Sequence, residues 1–369
     1  MGAGGLRRPA RRGRRQVPVT STATRTAPAP AADVDPVRRP RRRRALWALA
    51  VVVVLAGLVL LSVAVGSRVV GLSDVLAGLQ GSTATIGEAA VAQRVPRTLL
   101  AVAVGGALGL SGAVMQGVTR NPLADPGILG VNTGASLAVV TAVATVGLST
   151  ATGYIWAAIA GAAVTAVFVY AVGSLGRGGA TPLKLALAGA ATSAALSSFI
   201  TAVVLPRNDI AGGLRSWQIG GVGGASYEST AQVLPFLLCG FVISLLSARR
   251  LNSLALGDDV AAGLGERVAV ARAVAALGAV LLCGAATAVA GPIGFVGLVV
   301  PHLCRLLVGP DHRWLLPFST LTGACLLLAA DVLGRVVARP TEVDVGIITA
   351  LVGAPFFIAI VRRRTVRAL

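Results

Sequence analysis

The sequence predicts an all-α membrane protein with about ten transmembrane helices. Hydrophobic residues make up 55% of the 369 residues and charged residues only 13%, whereas soluble domains carry roughly 25% charged residues. The mean hydropathy is +0.81. Long charge-free windows separate the charged segments, and about 20 apolar residues in a helix are enough to cross a bilayer. The composition therefore excludes an ordinary soluble domain.

Eight charge-free windows define the predicted spans. Two of them, 127–176 and 273–304, are too long for a single span. We expect the first to contain two helices with a hinge near residues 149–153, and the second to break at the Gly-Pro-Ile-Gly segment 291–294. The total is ten spans, in the windows 45–67, 98–119, 127–176, 185–206, 229–248, 273–304, 314–330 and 345–361.

The net charge of +19 is concentrated at the N-terminus. Residues 1–44 hold 13 of the 33 basic residues and have little apolar surface to bury. They predict a disordered Arg-rich cytoplasmic tail at an anionic membrane surface, followed by a permease domain at 45–364 and a short C-terminal tail at 365–369. A secretory signal peptide is the rival interpretation, but a 44-residue leader is long for one.

The distribution of basic residues predicts the orientation. Placing the tail inside puts 26 basic residues on the inner side of the ten spans and seven on the outer side. The positive-inside rule therefore places both termini in the cytoplasm.

The chain lacks the usual groups for driving transport by itself. All 14 acidic residues lie in loops or near span ends, the deepest being Asp331, and the only lysine, Lys184, is not in a phosphate-binding loop. His302 and Cys304 alone make a poor metal site. A partner ATPase is expected. An ion-driven secondary transporter or passive channel is the rival, and a membrane enzyme lacks a convergent catalytic set.

Several motifs occur in a fixed order along the chain. They are Arg94-Val-Pro-Arg followed by Asn121-Pro-Leu-Ala-Asp-Pro-Gly, then the segments 291–305, 311–313, 331–335 and 346–357. Together they resemble the FecCD-type permeases, the membrane subunits of ATP-binding-cassette (ABC) importers for ferric siderophores, haem and cobalamin. The resemblance covers residues from about 46 to 364.

The resemblance implies a transporter subunit of the bacterial cytoplasmic membrane, and not an enzyme. It implies alternating access powered by separate ATPase subunits that bind ATP and magnesium, with no cofactor in this chain. The expected partners are these ATPases, an extracytoplasmic substrate-binding protein and a second permease subunit, identical or paralogous. An iron-siderophore complex is the favoured substrate because such systems are common, with haem or cobalamin as the alternative.

The loop after the sixth span predicts a short amphipathic helix pair. Leucines and Val260 interleave with Asp258 and Asp259, and Gly257 and Gly263 break the helices. Such a pair could seat in a partner's groove or lie on the membrane surface. The resemblance favours the first, because these permeases place their ATPase-coupling helices here, at 250–266. It implies a contact formed by Leu256, Gly257, Ala261 and Gly265.

Three arginines suggest a docking surface on the predicted outer side. Arg94 and Arg97 flank Pro96, and Arg335 follows the ninth span. Outward arginines suit carboxylates of a protein partner or lipid phosphates. The resemblance implies that they receive glutamates from the two lobes of the binding protein.

The resemblance also implies that the fifth and tenth spans line the pathway. Thr181 and Pro182 fall at the cytoplasmic gate, although the cobalamin permease has a second hydroxyl residue where this chain has Pro182. Ser193, Ser197 and Thr201 could line the pathway or serve as interhelical hydrogen-bond partners. Spans two to five and seven to ten further suggest an inverted repeat.

Overall fold

The computed structural model describes residues 1–2, 41–127, 129–176 and 181–362. These residues form 14 α-helices and contain no β-strand, which confirms the all-α prediction. The helices are α1 (Arg41–Ala64), α2 (Leu72–Leu79), α3 (Ile86–Thr119), α4 (Val131–Val146), α5 (Ala151–Ser174), α6 (Pro182–Val204), α7 (Asn208–Ile219), α8 (Tyr227–Leu246), α9 (Ala248–Ala255), α10 (Asp258–Gly263), α11 (Val268–Ala290), α12 (Val296–Val308), α13 (His312–Val337) and α14 (Val345–Arg362).

The ten predicted spans correspond to ten apolar helices among the described residues. Seven are long and apolar enough to cross a membrane, namely α1, α3, α5, α6, α8, α11 and α13, and three shorter apolar helices, α4, α12 and α14, complete the set. The hinge near 149–153 and the break at 291–294 are confirmed, because α4 ends at Val146 and α11 ends at Ala290. The charge-free windows therefore located the spans correctly.

The helix boundaries differ from the windows where charges fall inside a helix. α3 begins at Ile86 and runs through Arg94, Pro96 and Arg97, although the apolar window begins only at residue 98. α1 begins at Arg41, inside the segment assigned to the tail. Apart from residues 1–2 and 41–44, the predicted N-terminal tail lies outside the described residues, and so does the C-terminal segment 365–369.

The bundle has two ends, which we name after the short helices that they carry. The α2 face carries α2 at the start of α3, and the α9 face carries α9 and α10 at the other end of α3. By the positive-inside count of the sequence, the α9 face would be cytoplasmic. α3 is the most deeply buried of the long apolar helices.

Small residues bring α3 close to α12 and α13. Gly105, Gly109 and Gly112 lie one helical turn apart on one side of α3. Gly105 faces the carbonyl of Gly323 on α13, and Gly112 faces Gly297 on α12. A Cβ atom at any of these positions would overlap the neighbouring backbone. The stripe therefore allows the close helix contact that small residues provide in membrane proteins.

The packing follows the pattern expected of an inverted repeat. α3 packs on α12 and α13 of the second half, while α11 packs on α4 and α5 of the first half. The short helices α4 and α12 occupy equivalent places and both begin after a residue with positive φ, Gly130 at 77° and Phe295 at 68°. Their starts meet where Asn132 Nδ2 donates to the Ile293 carbonyl at 3.3 Å. The segment before α12 therefore contacts the first turn of α4 at a buried position.

Candidate functional site

On the α9 face, residues 248–266 form the two short helices that their amphipathic pattern predicts. Gly257 separates α9 from α10 with a φ of 108°, a conformation that L side chains rarely adopt. Leu251 and Leu254 are fully buried and attach α9 to the core of the bundle. The segment therefore lies at the surface of the bundle, and its inner side packs against the apolar core.

The opposite side of this segment exposes large apolar side chains. Leu256 is 61% exposed, and Val260 and Leu264 are exposed to a similar extent. We call these three residues the apolar strip. Charged residues flank the strip, including Asp259 and Glu266. Exposed apolar side chains grouped in this way mark a protein or membrane contact.

The structure corrects one residue of the expected coupling contact. Ala261 is fully buried, because its methyl group points into the bundle while its neighbour Val260 points outward. Gly257 and Gly265, with φ values of 108° and 86°, shape the turns that carry the strip. Of the four predicted residues, Leu256 presents a large accessible apolar side chain. Val260 and Leu264 belong to the predicted amphipathic pattern but not to the four residues of the expected contact, and they follow Leu256 in steps of four residues.

An ion-pair cluster fixes the start of α10. Asp258 Oδ1 lies 2.9 Å from Arg120 Nη2 and 2.8 Å from Arg272 Nη2. Arg120 is the C-cap of α3, and Arg272 lies near the start of α11. One carboxylate oxygen thus connects the apolar strip to two central helices.

On the α2 face, the expected docking arginines are Arg94, Arg97 and Arg335, which we call the arginine cluster. Arg94 is only 6% exposed and donates to the carbonyls of Val63 and Ala64 at 3.1 and 3.0 Å. These carbonyls belong to the end of α1, where backbone acceptors have no partner within the helix. Arg94 therefore caps α1.

Arg335 is also turned inward. It is 1% exposed, donates to the Ser62 carbonyl at 2.8 Å and to Ser62 Oγ at 2.6 Å, and lies 2.7 Å from Asp331. Arg97 bonds to Asp331 at 2.8 Å and to Glu342 at 2.6 Å. The guanidinium donors of the cluster are thus directed to acceptors of the chain itself.

The expected outward placement is therefore wrong for Arg94 and Arg335, which are buried, whereas Arg97 keeps 13% of its side chain exposed. A buried guanidinium requires acceptors, and the end of α1 together with Asp331 supplies them. Asp331 itself is 1% exposed and lies within α13, deeper than its position near a span end suggested. Two arginines neutralise it, so it is an element of the ion-pair network.

Glu342 lies in the loop before α14 and completes this network. Burial alone would raise its pKa, but the hydrogen bond and charge of Arg97 outweigh burial and hold the pKa below its ordinary value of 4.5. The nearby Asp344 behaves oppositely, because burial raises its pKa. The α2 face therefore keeps Glu342 ionised as a partner of Arg97.

Two other arginines on the α2 face are exposed. Arg68 follows α1, and its carbonyl accepts from Arg94 at 2.8 Å. Arg339 follows α13 on the same face and is exposed. Both are among the seven basic residues that the charge count placed on the outer side, but neither belongs to one of the sequence motifs. They are accessible cations beside the arginine cluster.

The predicted gate residues lie at the start of α6. Thr181 is the N-cap, and its Oγ1 accepts from the Lys184 backbone N–H at 3.3 Å. Pro182 is the first helical residue, a position that tolerates its missing N–H. Both residues are thus suited to starting a helix.

The predicted pathway serines do not share one environment. Ser197 and Thr201 are exposed on α6, and Thr201 Oγ1 donates to the Ser197 carbonyl at 3.0 Å. Ser193 is half-buried beside Gly130 at the start of α4. Among the described residues, no group of three or more His, Cys, Asp or Glu side chains could hold a metal ion.

Comparisons with known proteins identify this architecture. The model of the FecCD transport family matches residues 52–363. The ferric enterobactin transport system permease protein FepD of Escherichia coli (strain K12) is 45% identical over 307 residues, which are 83% of this chain and 91% of that protein. The hemin transport system permease protein HmuU of Yersinia pestis is 41% identical over 278 residues, 73% of this chain and 82% of that protein.

A solved structure agrees. A structure described as an inward-facing conformation of a putative metal-chelate type ABC transporter superposes with a TM-score of 0.74 at 29% identity, covering 86% of this chain and 99% of that chain. The multi-span bundle and its relatives define a permease subunit of an ABC importer, and not an enzyme. The chain belongs to the FecCD transport family.

Proposed function

We propose that this permease carries an iron-siderophore complex across the cytoplasmic membrane of a bacterium by alternating access. The relative named for ferric enterobactin supports a siderophore. The alternative cargo within the same class is haem, which the relative named for hemin supports, or cobalamin. Both termini would be cytoplasmic, as the charge count predicts.

The observation that carries the mechanism is the two-sided segment at residues 248–266. Its inner side is anchored by Leu251 and Leu254, while its outer side exposes the apolar strip. The apolar strip is exposed while the segment that carries it is packed against the core, and this arrangement suits insertion into the groove of a partner protein. We assign that partner as the ATPase subunit, which binds ATP and magnesium and drives the conformational cycle.

The α2 face would receive the substrate-binding protein. Because the arginine cluster is engaged internally, we assign it a supporting role in which it holds the end of α1. The accessible Arg68 and Arg339 would contact carboxylates of the binding protein. The docking surface thus keeps its cationic character but uses residues different from those that the motif indicated.

The pathway would form against a second permease subunit, identical or paralogous. Ser197 and Thr201 on α6 are small, polar and exposed, which suits the lining of a pathway for a large chelate. Thr181 and Pro182, at the start of α6, would place a gate at the cytoplasmic entrance of this helix. Ser193 is closer to α4 and would tie the two helices together.

The test is transport by the reconstituted importer, with its ATPase and binding protein, in proteoliposomes. Radiolabelled iron is supplied as catecholate, hydroxamate and citrate chelates and as haem, and radiolabelled cobalamin is supplied in parallel. ATP-dependent uptake of a siderophore chelate above haem and cobalamin supports the proposal. Preferential uptake of haem or cobalamin would replace the substrate, and uptake without the ATPase subunit would contradict the mechanism.

A further inference from the structure

We propose that Asp258 is a positioning residue that transmits movement of the ATPase-facing segment to both central helices of the permease. This inference rests on the proposed coupling role of residues 248–266. It goes further, because it names the connection between the surface contact and the transmembrane core. The apolar strip accounts for binding of a partner, but binding alone does not open a pathway.

The geometry places one carboxylate oxygen between two helices. Asp258 Oδ1 accepts a hydrogen bond from Arg272 Nη2 at 2.8 Å and forms an ion pair with Arg120 Nη2 at 2.9 Å. Arg120 ends α3, and Arg272 lies one turn into α11. α3 and α11 occupy equivalent positions in the two halves and pack against each other. A displacement of Asp258 therefore acts on both halves at once.

The backbone on each side of this contact favours a hinged connection. Gly257, with a φ of 108°, separates α10 from the anchored helix α9. Arg120 has a φ of 50°, an uncommon left-handed conformation for a residue other than glycine, and its backbone N–H is held by the carbonyls of the last turn of α3. α10 is thus hinged at one side, while the arginine that it contacts is fixed to the end of α3.

The ion pairs of Asp258 contribute little to the stability of the fold, so we assign them to the transmission of helix movement. Asp258, Arg120 and Arg272 are all partly exposed, and partly exposed ion pairs add little to the free energy of folding. Removing the carboxylate should therefore leave a folded permease with an intact apolar strip. What it should remove is the mechanical link between α10 and the two central helices.

The neighbouring Asp259 provides a matched control. It has the same charge and lies in the same first turn of α10, but its side chain is exposed, and the structure shows no ion pair for it within the described residues. Asp259→Asn therefore changes net charge and helix electrostatics as Asp258→Asn does. Only the latter removes the bridge to α3 and α11.

The experiment compares Asp258→Asn, Asp259→Asn and the double variant R120Q/R272Q in the full importer in proteoliposomes. Two quantities are measured: the ATPase subunit that co-purifies, and the radiolabelled iron imported per ATP hydrolysed, with iron supplied as the chelate best transported by the unaltered chain. We expect Asp258→Asn to keep the ATPase subunit. The iron imported per ATP should fall at least about fivefold, the fold-change that corresponds to the weakest of the usual coupling free energies.

The remaining variants separate the explanations. R120Q/R272Q should match Asp258→Asn, and the combination of all three substitutions should lose no more. Asp259→Asn, which lies beside the apolar strip, should leave the iron imported per ATP unchanged, whatever its effect on the amount of ATPase that co-purifies. Asp258→Glu should recover part of the coupling, because it restores the carboxylate. If Asp258→Asn does not yield folded protein, R120Q/R272Q tests the same link without altering α10.

Three results would overturn the inference. These are unchanged iron per ATP in Asp258→Asn, unchanged iron per ATP in R120Q/R272Q, and loss of the ATPase subunit from Asp258→Asn, which would make Asp258 a contact residue. Failure of the unaltered chain to retain any ATPase subunit would instead refute the proposed coupling role. The two failures are therefore distinguishable.

Discussion

On the α2 face, Arg94 and Arg335, which the charge pattern marks as surface groups, are buried and Arg97 is only 13% exposed, whereas on the α9 face three large apolar side chains are exposed. The arginines are directed to the end of α1 and to Asp331, because a helix end offers free carbonyl groups and a buried carboxylate needs neutralisation. The apolar strip has no such partner within the described residues. Residue type alone therefore does not tell which side chains of a permease meet its partners.

Breaking the arginine cluster should have the largest effect on stability. Arg335→Ala removes a guanidinium that is 1% exposed and leaves Asp331 with one fewer cation. We expect a loss of about 3–5 kcal/mol in the free energy of unfolding, the usual result of removing one member of a buried ion pair. Unfolding of the purified permease in detergent measures this, with the exposed Arg339→Ala as a control expected to change by less than about 0.5 kcal/mol. An Arg335→Ala permease of unaltered stability that fails to bind the substrate-binding protein would restore the outward docking role.

A pair of adjacent substitutions sharpens the contrast on the α9 face. Ala261→Val adds volume to a fully buried site, so we expect a loss of about 1–3 kcal/mol in the free energy of unfolding. Val260→Ala, at an exposed site, should leave stability nearly unchanged but weaken binding of the ATPase subunit. Both quantities are measured for both variants. The opposite assignment of the two effects would mean that Ala261 faces the partner.

The exposed cations of the α2 face should affect association more than stability. Arg68→Glu combined with Arg339→Glu reverses two accessible charges. We expect the association rate with the binding protein to fall about tenfold at low salt, and the difference to shrink as salt is added. Arg313→Glu, an exposed arginine on the α9 face, is the control and should leave this rate unchanged. Equal effects of the control and the double variant would remove Arg68 and Arg339 from the docking surface.

The smallest effect concerns acid stability of the α2 face. The pKa of Glu342 is lower in the folded chain than its ordinary value of 4.5, so its pairing with Arg97 stabilises the fold above that pH. This contribution is lost as the pH falls through the folded-state pKa. Asp344, with a raised pKa, works in the opposite direction, because its contribution fades as the pH rises. Thermal unfolding on both sides of pH 4.5 should therefore show less acid sensitivity in Glu342→Gln than in the unaltered chain, and equal sensitivity would contradict the pairing.

The spans could be predicted from the sequence because a helix that crosses the hydrocarbon core needs about 20 residues without charges, whatever its neighbours are. The sequence located the hinge near 149–153 and the break at 291–294 because two windows are too long for one span and because the Gly-Pro-Ile-Gly segment interrupts a helix. It missed the start of α3, because Arg94, Pro96 and Arg97 interrupt the apolar window although they lie inside the helix. Arg94 is covered because it meets the end of α1, and Arg97 because it pairs with Asp331 of α13, and both contacts depend on the tertiary arrangement of the helices. Ala261 and Val260 differ in burial for a similar reason, since the angle of α10 on the bundle decides which of them points outward.

The most direct test is the affinity of the purified ATPase subunit for the permease in lipid nanodiscs. Leu256→Arg puts a charge into the apolar strip, and Leu79→Arg makes the same change at an exposed leucine on the α2 face. We predict that Leu256→Arg weakens binding by roughly 30-fold or more, as expected for a contact worth about 2 kcal/mol, while Leu79→Arg has no effect. Unchanged affinity of Leu256→Arg in a folded permease would contradict the assignment of the α9 face to the ATPase.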